Sequence, residues 1–221
     1  MEWPLLADLP AEDVRQLLSI ARRRTFEKGE VVFHRDDLAD SFHLIARGRF
    51  GARVTTPVGD SVLLDVLGPG QGFGELALLL PGGRRSATVS ALEAGETHSV
   101  FRDDFALLQR RHPGVKDVLL RLLAEQLRRA SDRIVEAHYV NAETRVRRRL
   151  CELARIYGPA DETAVVPLTQ EDLAAMAGTS RATVNRVLRE EERRGAVSLS
   201  RGRVTIGDVS DLERRCRFDR S

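Results

Sequence analysis

Apolar positions along the chain change their period twice. Near the start, Leu9, Val14, Leu17, Leu18 and Ala21 recur at helical steps, which predicts a helix over residues 5–24, with Trp3 packed against it. From Thr25 to Val100 the pattern breaks into short runs rich in Val, Phe, Leu and Thr, such as 30–33, 41–45, 51–55 and 61–67, punctuated by Gly and Pro. Regularly spaced short strands with turn signals between them predict an all-β sandwich or barrel. From Pro113 the period is helical again. Leu120, Leu123, Leu127, Ala130, Ile134 and Ala137 alternate steps of three and four, the spacing of a heptad seam. Such a helix of about 25 residues, on the order of 37 Å long, exceeds what the neighbouring β unit needs. Two readings stand: a helix lying on its own core, and a parallel dimer seam, which the length favours.

Beyond this helix the chain reads as a small winged module. Asn141 has the look of a cap for a helix over residues 142–157, and Gly158-Pro159 stops it. A strand, a helix, a turn and a second helix follow. Two further strands, 196–200 and 203–206, are joined by Arg201-Gly202.

The length of 221 residues fits one to two domains, and 42% hydrophobic residues suffice for a core. No apolar run approaches membrane-spanning length, the longest uncharged ones being of the size of Leu76–Leu80. The start, Met1-Glu2-Trp3-Pro4, lacks the features of a signal peptide, so a cytoplasmic protein with no membrane partner is expected. Net charge is +2, but residues 1–115 carry 14 basic and 16 acidic side chains, whereas residues 142–221 carry 16 and 13. A basic C-terminal part points mildly to an anionic partner there.

Candidate chemistry falls in two places. Within 168–188, Thr169 and Asp172 form a capping-box-like start, Ala174 permits close helix crossing, Gly178 suits the tight turn, and Ser180 caps a second helix. On that helix Val184, Val187 and Leu188 share one face, while Arg181, Ala182, Asn185, Arg186 and Arg189 share the opposite one. Arginine forks on a helix can read guanine in the major groove. The alternative is a surface helix with solvated arginines, but cap, turn, second cap and hairpin together favour DNA. Earlier, Gly74 and Glu75 are followed by Arg85 and Ser86. Gly74 allows close backbone approach, and a short helix starting there would aim free N–H groups at an anion. Glu75 and Arg85 make a nucleotide-shaped pair, or equally a salt bridge.

Gly74-Glu75-Leu76, a spacer, then Arg85-Ser86-Ala87-Thr88 resembles the phosphate-binding cassette of cyclic-nucleotide-binding domains. With the long helix and winged module behind it, the chain over about residues 5–206 resembles the cyclic-AMP receptor / fumarate–nitrate regulator family of bacterial transcription factors. The resemblance implies an α+β fold: a jelly-roll-like β-roll over residues 1–112, a dimerisation helix over 113–140, and a winged helix-turn-helix over 141–221. It implies a cytoplasmic homodimer that binds double-stranded DNA at a pseudo-palindromic operator and meets RNA polymerase. Cyclic AMP is the implied allosteric ligand, with Glu75 on the ribose 2′-hydroxyl and Arg85 on the cyclic phosphate, helped by Gly74, Leu76 and Ser86. The implied DNA contacts are Arg181 and Arg186 to bases and Thr169, Ser180 and Thr183 to phosphates, with Gln170, Ala182 and Asn185 on the same face.

Two departures change what is carried over. The cyclic-AMP receptor sets adjacent Thr and Ser of its long helix on the adenine; here an ungapped match gives Ala130 and Ser131, one hydroxyl fewer. Ala182 stands where that receptor has a cytosine-accepting Glu, a change of roughly 1–3 kcal/mol in discrimination at one base step. A regulator of the same family that is independent of ligand, or uses another effector, is therefore the alternative.

Other chemistries find little support. The five histidines (His34, His43, His98, His112, His138) lack metal-ligand spacing, and two cysteines cannot hold an iron–sulfur cluster. Cys151 reads as an inert core thiol, and the arginine run 147–149 as phosphate contacts or a solvated face. No nucleotide-binding loop or hydrolase motif is present, and the winged module uses the remaining length, so an enzyme is not expected.

Overall fold

The computed structural model describes residues 6–7, 10–56, 59, 61–80, 82–158, 163–207 and 209–218. The chain divides into two compact units, Met1–Thr55 with Asp65–Arg129, and Thr56–Leu64 with Ala130–Ser221.

Helix α1 (Ala11–Ile20) follows Pro10, whose φ of −53° suits a helix entry, and carries Glu12 and Asp13 in its first turn, where the helix dipole favours acids. Then come strands β1 (Arg22–Phe26), β2 (Val31–Phe33), β3 (Ser41–Arg47), β4 (Phe50–Thr55), β5 (Ser61–Leu67) and β6 (Gly72–Phe73). The one-turn helix α2 (Leu76–Leu79) separates them from β7 (Thr88–Ala91) and β8 (Gly95–Phe101). Two antiparallel sheets result, in the orders β1-β8-β3-β6 and β2-β7-β4-β5. Helices α3 (Arg102–Arg111) and α4 (Val115–Tyr139) follow.

Strand β3 positions the first unit because both of its faces are buried. Phe42, Leu44 and Ala46 pack with Leu17, Phe105, Leu119 and Leu122 of the helices. On the other face, Ile45 joins Phe26, Phe50 and Phe73 between the sheets. The alternation of side chains along a strand makes this division possible.

The helix expected over 5–24 is shorter than its pattern. It ends at Ile20, and Arg22, Arg23 and Arg24 pair antiparallel with Ser99, His98 and Thr97. Arg23 reaches Glu96 at 2.6 Å, and the guanidiniums of Arg22 and Arg24 lie over Phe101 and Phe26. Partners more than seventy residues away overrode the local helical pattern. Leu9, Trp3 and Pro159 lie outside the described residues.

The second unit is built on α5 (Ala142–Tyr157), which Asn141 caps by accepting from the Thr144 N–H at 2.8 Å. After β9 (Ala164–Val166) come α6 (Gln170–Ala177), α7 (Arg181–Arg193), β10 (Val197–Ser200), β11 (Arg203–Ile206) and α8 (Val209–Phe218). The three strands form one antiparallel sheet in the order β10-β11-β9. The helix-turn-helix is set by its caps. Thr169 and Asp172 close a capping box, Gly178 takes φ +58° and ends α6, and Ser180 accepts from the Thr183 N–H.

The run 147–149 is neither a solvated face nor an outward phosphate clamp. Arg147 and Arg149 are buried. Arg147 donates to Glu191 at 2.8 Å and to Glu190 at 2.9 Å. Arg149 pairs with Glu136 and with Glu152. Glu191, wholly buried on α7, also forms an ion pair with Arg215 of α8, so one carboxylate ties three helices together. Carboxylates on neighbouring elements drew the run inward.

Removing the charge at Glu191 takes away the buried carboxylate that Arg147 and Arg215 share, leaving them their outer partners Glu190 and Asp211. Glu191→Gln should lower the unfolding free energy by about 3 kcal/mol in urea titrations, a typical cost of breaking a buried ion pair from one side. An unchanged midpoint would contradict this role.

Candidate functional site

In the first unit the chain between β6 and β7 folds back on the loop between β2 and β3. The backbone of Arg85 is pinned there: its N–H donates to Asp37 O and its carbonyl accepts from the Asp36 N–H, both at 2.9 Å. Gly74 has φ +81°, and a Cβ on it would lie 2.7 Å from Arg85 Nη1 and 3.0 Å from Ser41 O. Only glycine lets β6 pass this close to the guanidinium.

The Arg85 side chain is buried. Its Nη1 donates to Ser41 O at 2.6 Å and to Gly74 O at 3.5 Å, while Nη2 donates to Ser41 Oγ at 3.0 Å and Asp40 Oδ1 at 3.1 Å. The guanidinium also stacks 3.9 Å from the centroid of Phe33. Burial pulls its pKa below the ordinary value, against the charges of Asp40, Asp37 and Glu75, which favour the cation. The buried Nε has no hydrogen-bond partner among the described residues.

Glu75 begins α2 and is 6% exposed. Among the described residues no hydrogen bond or close ion pair holds its carboxylate, and the charged partner of Arg85 is Asp40. The salt-bridge reading of Glu75 and Arg85 is thus replaced. The pair shares one cradle, bringing a carboxylate that no described residue holds together with a buried guanidinium that has a spare N–H. Such groups are costly to leave unmet and fit a polar ligand bearing hydroxyls and an anion. Leu76 is half-buried beside them, and Ser86 is exposed.

His43 underlies the cradle. Its ring stacks on Phe73 at 5.0 Å, and its nitrogens lie 3.0 Å from Thr97 Oγ1 and 3.4 Å from Ser41 Oγ. Burial first, then the charges of Arg85 and Arg24, push its pKa down to about 3, opposed by Asp40. Nothing local in the sequence marks Asp40 or His43, and the link from Asp40 to Arg85 spans more than forty residues.

Along α4, Val115, Leu119 and Leu122 are buried in the first unit's core. Leu120, Leu127 and Ile134 are 58%, 70% and 62% exposed, Ala130, Ser131 and Ala137 are also exposed, and Leu123 is half-buried. The heptad positions are therefore not consumed by the chain's own core.

On α7, Val184, Val187 and Leu188 are buried, whereas Arg181, Ala182, Asn185 and Arg186 are exposed and Thr183 is half-buried. Arg186 Nη1 is 2.5 Å from Glu143 Oε1 of α5. Asn185 donates to Gln170 Oε1 at 3.2 Å. Arg181, Thr169 and Gln170 line a cleft of about 400 Å³ with Arg201 and Arg203 of the hairpin. Sequence reasoning did not place those two hairpin arginines beside Arg181; their only signal was their place at the turn.

A β-roll with a polar cradle and a winged helix-turn-helix on one chain are the two halves of a two-domain transcription regulator. Comparison with known proteins agrees. The model of the cyclic nucleotide-binding domain matches residues 23–112, and that of the Crp-like helix-turn-helix domain matches residues 144–215. The cyclic AMP receptor protein of Thermus thermophilus is 37% identical over 211 residues, covering 95% of each chain. A CRP-like cAMP-activated global transcriptional regulator of Mycobacterium tuberculosis is 32% identical, covering 87% of each. The solved Thermus thermophilus catabolite activator protein matches with a TM-score of 0.56 and 36% identity, over 96% of this chain and 98% of that one. The chain belongs to the cyclic-AMP receptor / fumarate–nitrate regulator family: it is a transcription regulator with a cyclic nucleotide-binding domain and a DNA-binding helix-turn-helix. Among the described residues no group of side chains could hold a metal ion, and no helix is long and apolar enough to cross a membrane.

The His43 shift has a sign that can be checked. Below its ordinary value of 6.5 the unfolded chain binds a proton that the folded protein refuses, so acid destabilises the fold. Relative to His43→Gln, the wild type should lose about 1.4 kcal/mol of stability per pH unit below about 6.5, and nothing above it. Urea unfolding of both proteins across pH 4–8 measures this; parallel profiles would contradict it.

Proposed function

We propose that this protein is a homodimeric, sequence-specific transcription regulator whose DNA binding responds to a cyclic nucleotide, cyclic AMP in first place. The observation that carries the reading is the cradle: the largely buried Glu75, whose carboxylate has no partner among the described residues, beside the Arg85 guanidinium, whose Nε is unmet among them. Glu75 would accept from the ribose hydroxyl. Arg85 would neutralise the phosphate, and Gly74, Leu76 and Ser86 would border it. Ser131 on α4 is offered to the base by resemblance alone. When bound, a nucleotide supplies a fixed negative charge and a hydroxyl, and a difference in its affinity for two arrangements of the protein shifts their populations.

The proposed boundaries are residues 1–112 for the sensing domain, 113–140 for the dimerisation helix and 141–221 for the DNA-binding domain. In the last, Arg181 and Arg186 would read bases. Ala182 and Asn185 would share that face, while Thr169, Gln170, Ser180 and Thr183 would border the phosphates. Leu120, Leu123, Leu127, Ala130, Ile134 and Ala137 would form the seam. Partners would be double-stranded DNA and RNA polymerase, in the cytoplasm, without catalysis. The second reading, a regulator without this ligand, is favoured by Ala130, which offers no hydroxyl to a base.

Calorimetric titration of nucleotide-free protein tests the choice. Saturable micromolar binding of cyclic AMP, weaker for cyclic GMP and abolished by Glu75→Ala or Arg85→Ala, is expected. No heat from either nucleotide would leave the second reading. For the seam, polar replacement of both Leu127 and Ile134 should halve the mass seen by light scattering; an unchanged mass would place the dimer contact elsewhere.

A further inference from the structure

Two thiols face each other in the second unit. Cys151, buried on α5, and Cys216, half-buried on α8, bring their Sγ atoms to 3.9 Å. They stand 65 residues apart in sequence, and the segment between them holds both helices of the helix-turn-helix and the hairpin. Both lie in the second unit, and α5 and α8 carry none of the candidate base-reading residues. Cys151 therefore does not stand alone as an inert core thiol.

The two sulfurs differ in chemistry. Cys216 is pulled below its ordinary pKa by the hydrogen bond from the Cys151 thiol and by the charges of Arg148 and Arg147, against burial and Glu191. Cys151 is pushed well above its ordinary value by that same hydrogen bond, by burial, and by the charges of Cys216 and Glu213, with Arg155 opposing. The thiolate is the nucleophilic form, and a reactive cysteine characteristically sits in a cationic, accessible place. A second thiol within reach makes its oxidation reversible by resolving it to a disulfide.

We propose that Cys216 and Cys151 form a peroxide-reactive dithiol, a modification site that closes an intramolecular disulfide between α8 and α5. The Cys216 thiolate attacks one oxygen of hydrogen peroxide and the O–O bond breaks. The departing hydroxide takes a proton to become water, leaving Cys216 as a sulfenic acid. Cys151 Sγ then attacks the Cys216 sulfur, the S–O bond breaks, and hydroxide leaves with the Cys151 proton as a second water. Two thiols lose two electrons, and one peroxide is reduced to two waters. The closed loop contains the whole helix-turn-helix and hairpin, so the oxidised winged unit loses unfolded-state entropy while its exposed arginines stay as they were.

The dithiol is independent of the cyclic-nucleotide reading. Reduced full-length protein is treated with stoichiometric hydrogen peroxide, alkylated with N-ethylmaleimide, and examined by intact mass, non-reducing electrophoresis and thermal melting. Expected are a loss of about 2 Da, no alkylation at either cysteine, a single-chain band, and a melting temperature raised by about 5 °C or more, reversed by dithiothreitol. Cys151→Ser should trap the sulfenic acid on Cys216, detected with dimedone, and Cys216→Ser should leave Cys151 unreacted. Full alkylation of the treated wild type, a covalent dimer, or dimedone on Cys151 in Cys216→Ser would overturn the proposal.

Discussion

A guanidinium taken out of water must be met by carboxylates or carbonyl oxygens, and both units of this chain are arranged around that requirement. In the first, Arg85 is enclosed by Asp40, Ser41, Gly74 and Phe33. In the second, Arg147 and Arg215 converge on the wholly buried Glu191. Arg145 commits its whole fork to backbone, donating to Val140 O, Ala177 O and Gly178 O at 2.7–2.9 Å. It thereby fixes the turn of the helix-turn-helix against the start of α5. Arginine suits this work because its planar donors leave no choice of geometry once their acceptors are set.

Legibility in the sequence extended to whatever neighbouring residues decide. The 25-residue helix α4 is legible in its heptad spacing, α5 in Asn141, and the helix-turn-helix in Thr169, Asp172, Gly178 and Ser180, because caps and turns act within four residues. The cradle was half legible. Glycine, carboxylate and arginine at fixed spacing marked it, but the true charged partner of Arg85 lies on Asp40, 45 residues upstream. Arg22–Arg24 read as helix because the pairing of β1 with β8 is invisible locally. Helices α3 and α8 went unread. The outward appearance of 147–149 failed for the same reason: Glu136 and Glu191 decide where those arginines point.

The cyclic nucleotide-binding and helix-turn-helix matches leave residues 113–143 between them. That stretch holds α4, which does two things at once. Its first turns are anchored by Val115, Leu119 and Leu122, and its other face carries exposed leucines and isoleucine. At its end Glu136 accepts from Arg148 and Arg149 of α5, so the joint with the next helix is riveted by charge and not left as a loose linker.

Arg186 is a surface cation that already has a partner. Its fork is engaged by Glu143, so an arriving anion gains only the difference between two partners. Attraction becomes exchange. A surface arginine left bare adheres to any polyanion, whereas one held by a carboxylate releases it only to a partner that offers a better fit. Glu143 is thus a competitor that any anion approaching Arg186 must displace.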